Sequence, residues 1–197
     1  MNLEKTMKQL KLRGFNVSHF ATGAEAAEYL SGKLENTEIG IGGCQTAKEI
    51  GLYEKLVEKN TVHWHWITPG FDTIAKANAA PVYICSANAI TEDGQILNID
   101  GNGNRLAATS FGPNKQIYFI VGKNKVCPNF ESALERARQK AAVQNIKRFD
   151  VKTPCKIDGK CHDCRGEDNL CRGLLVLWGP MRFTTTEVIL VDEELGY

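Results

Sequence analysis

The chain has 197 residues, of which 43% are hydrophobic and 24% are charged, and its formal net charge is +1. These values are typical of a globular protein with one full core, and they exclude the strongly basic surface that nucleic-acid-binding proteins need. No segment approaches the roughly 20 consecutive apolar residues that cross a bilayer, and the charged start at residues 1–8 is unlike a secretory signal. We therefore expect a cytoplasmic protein with no membrane or nucleic-acid partner.

Predicted helices and strands alternate along the chain. In chain order they are a helix at 1–14, a strand at 15–20, a helix at 24–34, a strand at 38–41, a helix at 46–58, strands at 62–67, 81–86 and 116–122, a helix at 130–143, and strands at 174–178 and 187–191. This alternation predicts an α/β fold, with one domain over residues 1–197 and a largely parallel sheet covered by helices on both faces. Ligands of such sheets bind at the carboxyl ends of the strands.

A glycine-rich turn follows the predicted strand at 38–41. Its backbone N–H groups and two side-chain donors could meet an anion, which makes Gly40, Gly42, Gly43, Gln45 and Thr46 candidate ligand-binding residues. The turn matches neither a Walker loop nor a dinucleotide-binding turn. The alternative is that the glycines serve only a tight turn and close packing.

The segment from Ser86 to Arg105 is dense in polar side chains. Asp93-Gly94 predicts a hairpin between two short strands, which explains part of this composition. The remaining density predicts a binding or catalytic role, with Asn88, Asn98, Asp100, Gly101, Asn104 and Arg105 as ligand-binding candidates. Glu92 and Asp100 are weak catalytic candidates, since each is more typical of a turn or a ligand contact. Arg105 and Lys123 are the predicted charge partners of an anionic small molecule.

Two histidines alternate with tryptophans at Val62–Trp66. On a strand, His63 and His65 would share one face, so a metal-binding pair is conceivable. The more ordinary interpretation places both histidines on the surface or in a pocket wall, opposite a tryptophan face that packs in the core.

Four cysteines, Cys155, Cys161, Cys164 and Cys171, lie within residues 152–173, a segment with almost no apolar side chains. Packing cannot hold such a loop, so the sequence predicts a small cysteine-rich metal-binding insertion. Pro154 and the surrounding basic residues favour a four-iron four-sulfur (4Fe-4S) cluster. Zinc and free or redox-active thiols remain alternatives, because the spacing alone does not separate them. Cys44, Cys85 and Cys127 are expected to be ordinary core residues.

Considered together, these motifs resemble those of a known family. The segments Gly40–Thr46, Ser86–Arg105, Gly112–Lys115 and Val121–Lys125, with the four cysteines, are similar to the LUD-domain family of bacterial lactate-utilisation proteins. The resemblance implies the isomerase and CoA-transferase-like fold, in which both polar loops line the substrate site. Related sugar-phosphate isomerases carry a catalytic carboxylate where this chain has Asn88, and an amide cannot act as a general base.

The resemblance leads to two functional hypotheses. In the first, the chain is an iron–sulfur-bearing subunit of a multi-component system that oxidises L-lactate, and its partners are the other iron–sulfur subunits. In the second, it is an enzyme or sensor for an anionic small molecule, with a structural zinc site. Either protein could form a homo-oligomer. The sequence shows no dinucleotide-binding turn and no flavin site, so we expect no lactate turnover by this chain alone.

Overall fold

The computed structural model describes residues 2–197, and its strands form two sheets. The strands are β1 (Asn16–Phe20), β2 (Glu38–Ile41), β3 (Thr61–Trp64), β4 (Val82–Cys85), β5 (Ala89–Thr91), β6 (Ile96–Asp100), β7 (Lys115–Gly122), β8 (Val126–Cys127), β9 (Gly173–Leu177) and β10 (Thr184–Val191). The larger sheet has six strands in the order β1-β10-β7-β4-β2-β3, and every neighbouring pair is parallel. The predicted α/β fold with a largely parallel sheet is confirmed.

The helices are α1 (Leu3–Leu12), α2 (Gly23–Lys33), α3 (Gln45–Glu49), α4 (Leu52–Leu56), α5 (Phe71–Ala79), α6 (Asn104–Ser110), α7 (Phe130–Arg136), α8 (Val143–Ile146) and α9 (Pro154–Asp158). A 3₁₀ turn covers Lys123–Lys125, and a π-helix at Ala137–Ala142 joins α7 to α8. Between residues 2 and 197, no helix combines the length and the apolar character needed to cross a bilayer.

The core lies on both faces of the parallel sheet. One cluster packs α2, α3 and α4 against the sheet through fully buried residues such as Leu30, Ala47 and Leu56. The other cluster packs α1 and α5 on the opposite face, with Leu10 and Ala77 among its buried residues. Because the central strand β4 is covered on both sides, all four of its residues are buried and form a continuous apolar run rather than an alternating one.

A smaller sheet in the order β8-β5-β6-β9 covers part of the second face. The predicted hairpin around Asp93-Gly94 joins its antiparallel strands β5 and β6. The predicted strand at 174–178 corresponds to β9, which pairs antiparallel with β6 in this smaller sheet and not in the parallel one. The sequence does not predict this second sheet, since its strands are short and their partners are distant in the chain.

The predicted helix at 46–58 is two helices. Gly51, which precedes α4, has a left-handed backbone conformation with φ of 62°, and this conformation interrupts the helix between α3 and α4. Helices α5 and α6 are not predicted from the sequence. Gly40 allows β2 to approach α5, because a Cβ atom at that position would lie 2.0 Å from the carbonyl oxygen of Ala77.

The strand order places one crevice at the carboxyl edge of the parallel sheet. From β2 the chain moves outward to β3, and then returns to β4 on the other side of β2. Ligands of open α/β sheets bind at such a reversal, outside the carboxyl ends of the strands. The segments that follow β2 and β4 therefore form the opposite sides of the expected binding crevice.

Candidate functional site

A cavity of about 120 Å³ lies at this carboxyl edge. Its walls come from the segments that follow β2, β3, β4 and β6, together with the 3₁₀ turn, the π-helix, the cysteine segment and the chain end. Of the predicted ligand-binding residues, the cavity walls contain Gly43, Gln45, Asn88, Asp100, Gly101, Asn104 and Arg105. Those outside the walls are Gly40, Gly42, Thr46, Asn98 and Lys123. The glycine turn and the polar segment, predicted as separate motifs, thus converge on one cavity.

Lys125 is a buried cation in the wall of this cavity, and it was not among the predicted site residues. Its side chain is nearly inaccessible, at 3% exposure, and it also lines the cavity. The ammonium donates hydrogen bonds to Ser86 Oγ at 2.9 Å and to Thr46 Oγ1 at 3.1 Å. Among residues 2–197, no carboxylate forms an ion pair with it. Burial lowers the pKa of Lys125 to about 8.

The 3₁₀ turn explains why Lys125 occupies the position expected for Lys123. Lys123 directly follows β7 and is exposed, outside the cavity walls. The turn at Lys123–Lys125 brings the second lysine back over the sheet edge. The sequence shows that lysines occur at positions 123 and 125. Which of them faces the cavity depends on this short turn.

Arg105 and Asp100 form a partly enclosed unit beside Lys125. The Asp100 carboxylate accepts hydrogen bonds from the backbone N–H of Gly101 at 3.0 Å and of Arg105 at 2.9 Å. The Arg105 guanidinium lies 3.4 Å from the same carboxylate and donates to the carbonyl oxygen of Ile99. The Asp100 carboxylate therefore stabilises the loop that follows it, and this loop positions Arg105 in the cavity wall.

Asn88 and Asn98 hold the frame of the site together. The Asn98 side chain accepts a hydrogen bond from the Asn88 backbone N–H at 3.1 Å, and the Asn88 side chain accepts one from Ile99 at 2.6 Å. The buried guanidinium of Arg136 donates to the backbone carbonyls of Asn88 and Asn124. These bonds connect the segment after β4 to the segment after β7. The side chains of Asn88 and Asn98 therefore stabilise the structure of the site.

Glu92, the other weak catalytic candidate, lies away from the cavity. Its carboxylate accepts a hydrogen bond from the Asn2 backbone N–H at 2.8 Å, next to the start of α1, and Lys5 lies 3.5 Å away. The hydrogen bond from Asn2 is the main reason that the pKa of Glu92 is lowered. Of the two carboxylate candidates, only Asp100 lines the cavity.

Aromatic and basic side chains form the outer wall. Trp66 stacks on Trp64 with ring centroids 5.6 Å apart, and the Arg148 guanidinium lies 3.7 Å from the centroid of the Trp66 ring. His65 also lines the cavity, and burial, followed by the charge of Arg148, lowers its pKa. His63 lies at the sheet edge, 3.7 Å from Glu38. His65 therefore belongs to the cavity wall, whereas His63 lies outside it at the edge of the sheet.

The cysteine segment approaches the cavity through Cys171. Burial raises the pKa of Cys171 to about 11, and the neighbouring Cys161, Cys155 and Cys164 raise it further. Cys171 also lines the cavity. In the described part of the chain, no three His, Cys, Asp or Glu side chains are arranged as a group that could hold a metal ion. The four thiols are thus neighbours, although their side chains are not arranged to coordinate a metal ion.

The other cysteines behave as predicted. Cys44, Cys85 and Cys127 are all buried. Cys44 has an additional local role, because its sulfur accepts a hydrogen bond from the Ala47 backbone N–H at the start of α3. Cys44 also lines the cavity, on the side formed by the glycine turn.

Comparison with known proteins gives a family and a fold. A family model described as the LUD domain matches residues 3–185. The crystal structure of a DUF162 family protein from Deinococcus radiodurans is similar over 96% of each chain, with 14% sequence identity and a TM-score of 0.56. At this identity the likeness concerns the fold alone. A search of the curated proteins found no match.

Proposed function

The chain belongs to the LUD-domain family, and on this premise we propose that it binds a small carboxylate anion in its cavity and acts as an iron–sulfur-bearing subunit of an L-lactate-oxidising system. The observation that carries the binding step is Lys125, a buried cation whose hydrogen-bond partners among residues 2–197 are two neutral hydroxyl groups. The sequence motifs resemble those of bacterial lactate-utilisation proteins, and for this reason we propose an organic acid as the bound anion.

The electrostatic argument for an anion is direct. A buried charge is costly unless an opposite charge compensates it, and the hydroxyls of Ser86 and Thr46 supply only hydrogen bonds. Arg105 adds a second positive charge, which Asp100 balances at 3.4 Å. A bound carboxylate would neutralise Lys125 and could accept two hydrogen bonds from the guanidinium. The cavity of about 120 Å³ is well below the roughly 300–1,000 Å³ of drug-sized ligand sites, which favours a small acid.

The cysteine segment supports the redox part of the proposal through its donor set and its position. The three neighbouring thiols raise the pKa of Cys171, so a shared cation or cluster would stabilise the thiolate form of this residue. Cys155, Cys161, Cys164 and Cys171 would hold this centre after a local rearrangement of an exposed loop. A bound 4Fe-4S cluster would supply one-electron transfer. Because Cys171 also lines the cavity, the centre would lie beside the anion.

Zinc is the alternative metal, and an enzyme or sensor for an anion is the alternative function. Zinc would use the same four cysteines as a closed structural site, and the protein would then be an enzyme or sensor for the anion. Under the lactate hypothesis, other iron–sulfur subunits are required, since oxidation of a 2-hydroxy acid removes two electrons and a single cluster passes one at a time. The cluster in this chain would act as a relay between subunits.

Metal analysis of anaerobically purified protein tests the redox part. We expect iron and sulfide in stoichiometric amounts, with a broad visible absorbance that dithionite bleaches. The Cys161→Ser variant should lose the metal, whereas Cys127→Ala, which changes a buried cysteine outside the segment, should retain it. Zinc in place of iron would support the alternative function. Absence of both metals would refute the metal centre.

Calorimetric titration with pyruvate and with lactate tests the anion site. Loss of a charged hydrogen-bond donor typically costs about 1.5–3 kcal/mol, so Arg105→Gln should weaken binding at least about tenfold. Lys123→Gln is the matched control, because Lys123 is exposed and lies outside the cavity walls. Equal affinities of both variants and the wild type would place the anion elsewhere.

A further inference from the structure

The surroundings of Lys125 are suitable for a covalent reaction of its amine as well as for binding an anion. We propose that Lys125 is a nucleophile that forms an imine with a small 2-oxo acid bound in the cavity. This inference rests on the proposed function, since the carboxylate of that acid is the anion that the cavity would bind. It assigns the substrate class as 2-oxo acids and gives Lys125 a catalytic role.

The geometry supplies the three features that an imine-forming lysine needs. The amine lines a cavity from an almost fully buried position, so it can meet a ligand away from bulk water. Among residues 2–197, no carboxylate pairs with it and holds its proton. Two hydroxyls lie within hydrogen-bond distance of Nζ, at 2.9 Å and 3.1 Å, and the one that lines the cavity, that of Ser86, can carry protons between the nitrogen and a reacting oxygen.

The charged neighbours of Lys125 act in both directions. Cys44 and Glu49 raise its pKa, whereas Arg136 and Arg105 lower it as like charges. Burial is the largest influence, and the result is a pKa of about 8. A larger fraction of this amine is therefore neutral near pH 7 than for an ordinary lysine. A lysine desolvated in a pocket, or placed beside another cation, is the usual form of an activated amine nucleophile.

The proposed step is balanced without any oxidant or reductant. The lone pair of the neutral Nζ attacks the C2 carbonyl carbon, a C–N bond forms, and the carbonyl oxygen takes up a proton. The nitrogen gives up its two protons in turn and its lone pair forms the C=N bond, while the C–O bond breaks and the oxygen takes up a second proton and leaves as one water molecule. Ser86, which lines the cavity, is the group placed to pass these protons, and Arg105 is placed to bind the carboxylate.

Reductive trapping tests the inference on the whole protein. Wild-type protein incubated with pyruvate and sodium borohydride should gain the mass of one reduced adduct, and peptide mapping should locate it on Lys125. Lys125→Arg should show no adduct, whereas Lys123→Arg, which changes the exposed neighbour, should react like the wild type. Lactate, which has no 2-oxo group, should give no adduct with any of these three proteins.

The outcomes separate this inference from the proposed function. Pyruvate binding by calorimetry without an adduct on Lys125 would overturn the imine and leave the anion site standing. Adducts spread over surface lysines, or an undiminished adduct in Lys125→Arg, would also overturn it. If neither pyruvate nor lactate binds, the proposed function fails and the imine fails with it. Because the wild-type peptide map is decisive alone, a poorly folded variant would not prevent a conclusion.

Discussion

Replacement of Lys125 by methionine should change how the stability of the folded chain depends on pH. Methionine keeps an unbranched side chain of similar length and removes the buried charge. Lys125 donates two hydrogen bonds, to Ser86 and Thr46, and forms no ion pair within residues 2–197. The variant loses these bonds but no longer has to bury an ammonium group. The absolute stability combines both effects, so the informative quantity is the pH dependence of the difference.

The magnitude follows from the pKa. Burial lowers the pKa of Lys125 from 10.5 to about 8, which at about 1.4 kcal/mol per pH unit corresponds to roughly 3 kcal/mol. Below pH 8 the amine is protonated in both states, and the folded state carries this full penalty. Between pH 8 and pH 10.5 the unfolded chain binds more protons than the folded one, so the stability of the wild type rises with pH. Methionine removes this dependence.

Urea denaturation followed by tryptophan fluorescence provides the measurement. From about pH 7 to about pH 9.5, the free energy of unfolding of the wild type should rise by about 2 kcal/mol relative to Lys125→Met. Lys123→Met is the control, and its difference from the wild type should stay flat because that side chain is exposed. A flat or falling difference for Lys125→Met would refute the assignment of a buried, destabilised ammonium.

Three further predictions concern the fold and the activity. Gly40→Ala should destabilise the chain by about 3 kcal/mol in denaturation, because the added Cβ would lie 2.0 Å from a backbone oxygen of α5, whereas Gly32→Ala, in open space on α2, should be neutral or stabilising. Glu187→Gln should cost about 2 kcal/mol at neutral pH by leaving the partly exposed Lys33, 2.7 Å away, without its carboxylate. Although burial opposes it, hydrogen bonds from Lys33 and two hydroxyl groups lower the pKa of Glu187, so this difference should shrink on acidification below the ordinary carboxyl pKa. Purified chain without partners should not reduce a dye in the presence of lactate, and robust dye reduction would contradict the relay role.

The strands of the parallel sheet were predictable because burial on both faces leaves a strong signal. Val82–Cys85 and Lys115–Gly122 are apolar runs bounded by turn residues, and the structure places them side by side at the centre of the sheet. Helix α5 gives a weaker signal, since Ala77 is the one buried residue within Phe71–Ala79. The pattern of an exposed helix that covers a sheet edge differs little from that of a polar loop.

The sequence predicts the segments of the candidate site and one of its cations, Arg105, but it names Lys123 where the structure has Lys125. Strand order brings the glycine turn and the polar segment together, and that order follows from general rules for α/β sheets. The choice between Lys123 and Lys125 depends on one 3₁₀ turn, which no periodicity in the sequence reveals. Likewise, the density of Asn and Asp side chains predicts a site, but only the hydrogen bonds show that Asn98 and Asp100 mainly build its frame.

The π-helix at Ala137–Ala142 makes one wall of the cavity sensitive to chain length rather than to side-chain identity. A π-turn takes up one more residue than an α-turn, so every side chain after it is rotated by about 100° from its α-helical position. Asn145 and Ile146, which follow this segment, line the cavity. Deletion of a single alanine would restore α-helical spacing and turn this wall away from the ligand. Relatives that differ by one residue in this helix should therefore present a different wall, even where every polar contact of the cavity is shared.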